Sequence, residues 1–260
     1  MKIVSWNVNG LRAVYNKENF LDFLEKESPD LLFLQETKVL QEQLTKDQTT
    51  PLNYKLIINP AEKKGYSGVA CFYKNNLKVS TFSKKINIKE FDSEGRFLLV
   101  EYSGLYFFNI YFPSGTTGDI RQDFKYKFLD ALYEYLAKLP KKIIENLILL
   151  GDVNICHKDI DIHHPQTARK KQYSGFLEDE QAWVSKLEEF GFIDTYRELN
   201  KDIQKFSWWS YRANSRAKNL GWRIDYIFIN KKLKNKLKHS NILDQYYGSD
   251  HAPISCVLDN

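Results

Sequence analysis

No stretch of this sequence approaches the roughly twenty consecutive apolar residues that a membrane-crossing helix needs. The opening residues MKIVSWNVNG contain no apolar run of signal-peptide length. A cytoplasmic protein without a membrane partner is expected. Cysteine is equally scarce. Cys71, Cys156 and Cys256 are odd in number, far apart and set in apolar segments, which excludes a disulfide framework and a paired-cysteine metal site. There is no Pro/Gly/Ser-rich linker, no low-complexity tract and no shift of composition, so residues 1–260 read as one domain. His157 and His163-His164 lack an HExxH or paired Cys/His spacing, which argues against zinc. No serine or cysteine nucleophile elbow accompanies His251, which argues against acyl transfer.

What remains is an ordinary folded composition, 43% apolar and 27% charged, with Lys and Arg exceeding Asp and Glu by five. Much of that excess lies in short runs: Lys84-Lys85, Lys141-Lys142, Arg169-Lys170-Lys171 and Lys231-Lys232. Such a balance tilts the partner towards a polyanion. Strand-like runs cover Lys2–Trp6, Leu31–Leu34, Tyr54–Ile58, Gly68–Tyr73, Arg96–Tyr102, Leu105–Phe112, Asn146–Leu150, Trp222–Ile229 and Ala252–Leu258. Helical spacing is clearest over Arg121–Leu139 and weaker over Phe20–Leu24 and Ala182–Phe190. Many strands broken by a few helices predict a compact α/β fold.

The chemistry collects where these strands end. Leu31–Leu34 has no polar alternation, as in a strand buried on both faces, yet it runs straight into Gln35 and Glu36. A carboxylate there is costly to desolvate unless it is paired, metal-bound or at a water-filled mouth. Asp152 follows LILLG, Asp225 lies within GWRIDYIFI, and Asp250-His251 precedes the last strand. Asn7-Val8-Asn9 and Asp152-Val153-Asn154 repeat one polar-apolar-polar pattern after two strands. If the same strand ends meet, four carboxylates, one imidazole and several amides converge on one oxygen-rich cleft. Hard oxygen ligands suit Mg²⁺ or Mn²⁺. A buried Asp225 beside His251 would fix the imidazole tautomer or keep it cationic. This set is what phosphodiester hydrolysis requires.

The segments WNVNGLRA, PDLLFLQETK, GYSGVACF, YFPSG, GDVNICHKDIDI, GFLEDEQAW, NLGWRIDYIFI and YGSDHAPI, in order from Lys2 to Asp259, resemble exonuclease III and the abasic-site endonucleases of DNA repair. The resemblance implies a four-layer α/β sandwich, two packed mixed β-sheets flanked by helices. It implies Mg²⁺-dependent cleavage of DNA 5′ to abasic sites, with 3′ to 5′ exonuclease and 3′-phosphatase action. The partner would be double-stranded DNA with abasic sites or blocked 3′ ends, met by a monomer. Glu36 would be a metal ligand with Asn9 beside it, where some members carry Asp. Asp152, helped by Asn154, would orient or deprotonate the attacking water. Asn7, Tyr111 and His251 would contact the scissile phosphate, Asp225 would hold His251, and Asp250 would complete the metal side or the water network.

Phe206, Trp208, Trp209, Tyr211 and Trp222 interleave with Arg212, Arg216, Lys218 and Arg223, a mixture that fits bases, deoxyribose and phosphates. By family position Trp208, Trp222 and Ile224 would line a pocket for an extruded abasic sugar. Arg212 and Arg223 are taken as DNA contacts. The basic loop Arg169–Gln172 aligns poorly and is not assigned. The alternative is a catalytically silent nucleic-acid-binding relative. The presence of Glu36, Asp152, Asn154, Asp250 and His251 weighs against it. A phosphoinositide or sphingomyelin phosphatase of the same superfold is disfavoured by WRIDY, the tryptophan-rich segment and the lack of a membrane-binding stretch.

Overall fold

The computed structural model describes residues 1–17 and 20–259. Its strands are β1 (Lys2–Asn7), β2 (Leu31–Gln35), β3 (Tyr54–Asn59), β4 (Val69–Lys74), β5 (Ser80–Ser83), β6 (Phe97–Tyr102) and β7 (Leu105–Tyr111). They continue with β8 (Leu147–Asp152), β9 (Phe192–Asp194), β10 (Trp208–Trp209), β11 (Gly221–Trp222), β12 (Asp225–Asn230), β13 (Leu237–Ile242) and β14 (Ile254–Leu258). One six-stranded sheet has the order β13-β14-β1-β2-β4-β3, the other β5-β6-β7-β8-β12-β9. Both are mixed: β1–β2 and β7–β8 pair parallel among otherwise antiparallel neighbours.

The burial of β2 follows from its place in these layers. Leu31 and Phe33 face the second sheet, where Phe33 stacks on Phe107 at 5.7 Å, while Leu32 and Leu34 face the helices outside. With apolar neighbours on both faces, alternation is lost. Helix Phe20–Glu27 covers the outer face of the first sheet with Phe20, Phe23 and Leu24. Helices Asp119–Lys138 and Glu178–Glu189 cover the second with Phe128, Leu132, Trp183 and Leu187. The result is the expected four-layer sandwich. Inside it one polar bridge crosses between sheets: Gln35 Nε2 donates to Asn109 Oδ1 at 2.6 Å and to Ser5 Oγ at 3.0 Å. Asn109 Nδ2 donates in turn to the carbonyls of Leu34 and Ala70.

Four strands escape sequence reading. Ser80–Ser83 and Leu237–Ile242 are polar, while Phe192–Asp194 and Trp208–Trp209 are too short to show a period. The expected continuous strand Trp222–Ile229 is divided. Trp222 pairs with Trp208 in a two-stranded ribbon, β12 begins at Asp225, and Arg223 between them turns into the protein.

Candidate active site

Register alone assembles half of the site. In the second sheet Tyr111 pairs with Asp152 across β7–β8, and Asp152 pairs with Asp225 across β8–β12. In the first, Asn7 lies beside Gln35, so Glu36 follows at the mouth of β2. Beyond these strands the chain turns through left-handed backbone at Asn9 (φ 46°), Glu36 (φ 50°) and Asn154 (φ 56°). Asparagine tolerates that region, but for glutamate it costs roughly 1–2 kcal/mol, a strain characteristic of functional positions. The two repeated triplets fold alike: Asn9 N donates to Asn7 Oδ1 at 3.0 Å and Asn154 N to Asp152 Oδ1 at 2.9 Å, with Val8 and Val153 buried between.

The side chains form one hydrogen-bonded set. Asn7 Nδ2 donates to both Glu36 Oε1 (2.9 Å) and Asp152 Oδ2 (2.8 Å), joining the two sheets' carboxylates. Asn154 Nδ2 also reaches Asp152 Oδ2, at 3.2 Å. His251 Nδ1 lies 2.9 Å from Asp225 Oδ2, and its Nε2 lies 3.8 Å from Asp152 Oδ2. Ser207 Oγ donates to Asp225 Oδ2 at 2.6 Å. Asp250 accepts from Asn9 Nδ2 (2.9 Å) and from the Trp208 indole (3.0 Å).

Burial raises the Asp152 carboxyl to about 7, with the charges of Asp225 and Glu36 adding to it and His251 opposing. Burial alone would depress His251, but Asp225 and Asp152 outweigh it and lift the imidazole to about 10. Glu36 goes the other way: burial is outweighed by the Lys38 ammonium 2.7 Å away and by the Asn7 amide, so it stays low and ionised. The Tyr111 phenol is pushed up by burial and by Glu36.

Glu36, Asp152 and His251 bring potential ligand atoms within 4.8 Å of one another. Asp225 and Asp152 favour the protonated form of His251, which has no lone pair to offer, so the carboxylate oxygens are the better ligand atoms of the three. That donor set fits a hard divalent cation. Above it opens a cleft of about 1020 Å³ lined by Glu36, Tyr111, Asp152, Asn154, Asp250 and His251 at its floor, and by Trp208, Arg212, Trp222 and Ile224 at its side. Trp208 and Trp222 meet edge to face at 6.0 Å.

A model of the endonuclease/exonuclease/phosphatase family matches residues 4–251. The chain belongs to that family. It is 37% identical over 260 residues to an exodeoxyribonuclease of Bacillus subtilis, covering all of both chains. It is 38% identical over 263 residues to a DNA-(apurinic or apyrimidinic site) endonuclease of Dictyostelium discoideum, covering all of this chain and 71% of the relative. Among family structures, a 3′ phosphatase from Neisseria bound to product DNA hairpin superposes with a TM-score of 0.89 at 25% identity, over the whole of both chains.

Thirteen of the fourteen family residues named from the sequence lie in the cleft or touch those that do. Arg223 is the exception. It is 1% exposed, and its guanidinium is turned away from the cleft onto Asp161 (Nε to Oδ1, 2.7 Å; Nη2 to Oδ2, 3.0 Å) and Asp194 (2.8 Å). Its neighbours Trp222 and Ile224 line the cleft while it anchors the segment from behind. Arg223→Met is therefore expected to destabilise the protein by about 3–5 kcal/mol, because it leaves buried carboxylates with a partner missing. The salt dependence of DNA binding should stay as it was, whereas loss of a phosphate contact would lower its log–log slope by roughly one. Denaturant unfolding and binding at several salt concentrations decide, and a lower slope with unchanged stability would restore the surface role.

Sequence reasoning also missed contributors. Lys38, two residues after Glu36 in QETK, donates to Asn9 Oδ1 as well as pairing with Glu36. Ser207, fully buried, fixes Asp225. Gln172, Tyr173 and Ser174, from and just after the unassigned basic loop, form part of the cleft wall, with Tyr173 stacked over Trp222 at 6.3 Å. A poor alignment hid the last group, and a lone serine before two tryptophans carries no signal.

Proposed function

We propose that this protein is a Mg²⁺-dependent DNA-repair phosphodiesterase that cleaves 5′ to abasic sites and also acts at 3′ ends as exonuclease and 3′-phosphatase. The reading gives it a cytoplasmic location as a monomer; among the described residues no helix is long and apolar enough to cross a membrane. The observation that carries it is the Asp225–His251–Asp152 row meeting Asn7 and Glu36 at the floor of a tryptophan-walled cleft.

Glu36 is the proposed principal ligand of Mg²⁺, for which Mn²⁺ could substitute, with Asn9 and Asp250 on the same side. A divalent cation there supplies charge neutralisation of the phosphate. Asp152, raised towards neutrality by burial, accepts a proton from the attacking water, which Asn154 helps to orient through its hold on Asp152. The Tyr111 hydroxyl and cationic His251 donate to phosphate oxygens as negative charge builds there, and Asn7 reaches the phosphate by exchanging one of its two Nδ2 bonds, to Glu36 or to Asp152. Asp225, itself held by Ser207, keeps His251 charged and aimed.

Trp208, Trp222 and Ile224 form the apolar slot for a sugar that has lost its base and is cheap to extrude. Arg212 at the rim contacts the backbone. Trp222→Ala is expected to weaken the preference for abasic over intact duplex by about five- to hundredfold, from stacking worth roughly 1–3 kcal/mol. Nonspecific affinity should survive, since phosphates supply it. A thermal melt run alongside separates this from unfolding, and an unchanged preference in the folded variant would make Trp222 mere packing. The function itself is tested with three labelled duplexes, carrying an abasic-site analogue, a 3′-phosphate and an undamaged recessed 3′ end. Failure to cut any of them overturns the reading.

A further inference from the structure

Helix Asp119–Lys138 packs an apolar stripe against the second sheet, yet one of its fully buried residues is Lys125. Its ammonium lies 2.5 Å from Glu180 Oε1, and both side chains have no exposure at all. Burial pushes the lysine down from its ordinary range while Glu180 holds it up. A pair removed from water in this way contributes little net stability, because the desolvation cost offsets the attraction, and apolar residues of similar volume often do as well. Neither group faces the cleft.

What the pair holds is specific. The Lys125 ammonium donates to the backbone carbonyl of Asn154 at 2.9 Å, at the left-handed turn that presents the Asn154 amide to Asp152. Glu180 Oε2 accepts from the backbone N–H groups of Gly175 (2.6 Å) and Leu177 (3.0 Å). Gly175 sits at φ 93°, where an added Cβ would come 2.9 Å from the Trp222 ring and 3.1 Å from the Asn154 carbonyl oxygen. The turn capped by Glu180 thus presses on Trp222, and it follows directly on Tyr173, which stacks on that same ring.

We propose that Lys125 and Glu180 form a positioning pair that sets two halves of the site together. Lys125 fixes Asn154 against Asp152, and Glu180 fixes the 173–177 wall against Trp222. The inference rests on the reading of the cleft as a DNA phosphodiesterase site. It assigns the pair no contact with substrate.

The Lys125→Met/Glu180→Gln double variant removes both charges, the bond to Asn154 and the bond that Glu180 Oε1 accepts from Gln122, while the glutamine carbonyl can still accept from Gly175 and Leu177. It should stay folded, with kcat on the abasic duplex lowered about ten- to hundredfold, as expected for a catalytic group displaced by a fraction of an ångström to an ångström. KM and the preference for abasic over intact duplex should stay within about threefold, a split that general loosening of the fold would not give. Lys125→Met/Glu180→Ala, which uncaps the turn as well, should lose the preference in addition. Native-state hydrogen exchange on the unaltered protein is a second test that needs neither folded variants nor activity. The Gly175 and Leu177 amides should exchange only with global opening. Wild-type kcat in a folded first variant, or rapid exchange at both amides, overturns the proposal. Failure of the unaltered protein to cut the abasic duplex overturns the function instead, and the exchange result still decides whether the pair holds the wall.

Discussion

Asp152→Asn is expected to lower the cleavage rate by about two to four orders of magnitude, the usual worth of a general base. The substitution keeps the size of the side chain, but its NH2 cannot accept, so it also gives up the bonds at one oxygen, either that from the Asn154 backbone or those from Asn7 and Asn154 Nδ2. It removes a buried carboxyl whose affinity for a proton is raised towards neutrality. DNA binding should persist, because lysine and arginine contacts to phosphates dominate affinity. Rates on the abasic duplex and a binding titration measure the two sides. A variant that cuts near the original rate would remove Asp152 from the nucleophile step and leave its hydrogen bonds as scaffolding.

Removal of divalent ions should abolish cleavage outright, and added Mg²⁺ should restore it. Glu36→Gln should move the restoring concentration upwards, since an amide is a poorer ligand than a carboxylate for a hard cation. The shift has a structural companion: Glu36 now balances Lys38, and the amide leaves that ammonium with less to hold it. Mg²⁺ should correspondingly raise the melting temperature of the unaltered protein more than that of the variant, a linkage readout that does not depend on turnover. Full activity in excess chelator would sink the assignment.

The strand ends were legible because they violate a local rule. A run such as LLFLQE puts a carboxylate where burial forbids it, and LILLGD does the same. Nothing in composition or periodicity excuses either, so function does. The layers were legible for the complementary reason, since β2 and β8 lack the alternation of half-exposed strands. Arg223 misled because a cation beside a tryptophan reads alike on a surface and in a core. Only the distant Asp161 and Asp194, brought close by the fold, decide between them. Lys125 was hidden similarly. It interrupts an apolar stripe by one position, and its partner lies 55 residues away. The short ribbon of Trp208 and Trp222 could not be read from local pattern because its two strands have no period of their own.

The position of β1 between β14 and β2 has a consequence for the protein's synthesis. Asn7 belongs to β1 and His251 to the stretch just before β14, so the two are translated far apart in time. Ser249 Oγ donates to the Asn7 carbonyl at 2.7 Å, and the Trp6 indole donates to the His251 carbonyl at 3.0 Å. A chain growing from its N-terminus can collapse much of the second sheet early, yet the first sheet lacks the strand between β13 and β1 until residues 249–258 leave the ribosome. Until then no imidazole stands over Asp152. Asp250 and His251 are therefore the last of the site residues to be made, and they take their places only when β14 pairs with β1.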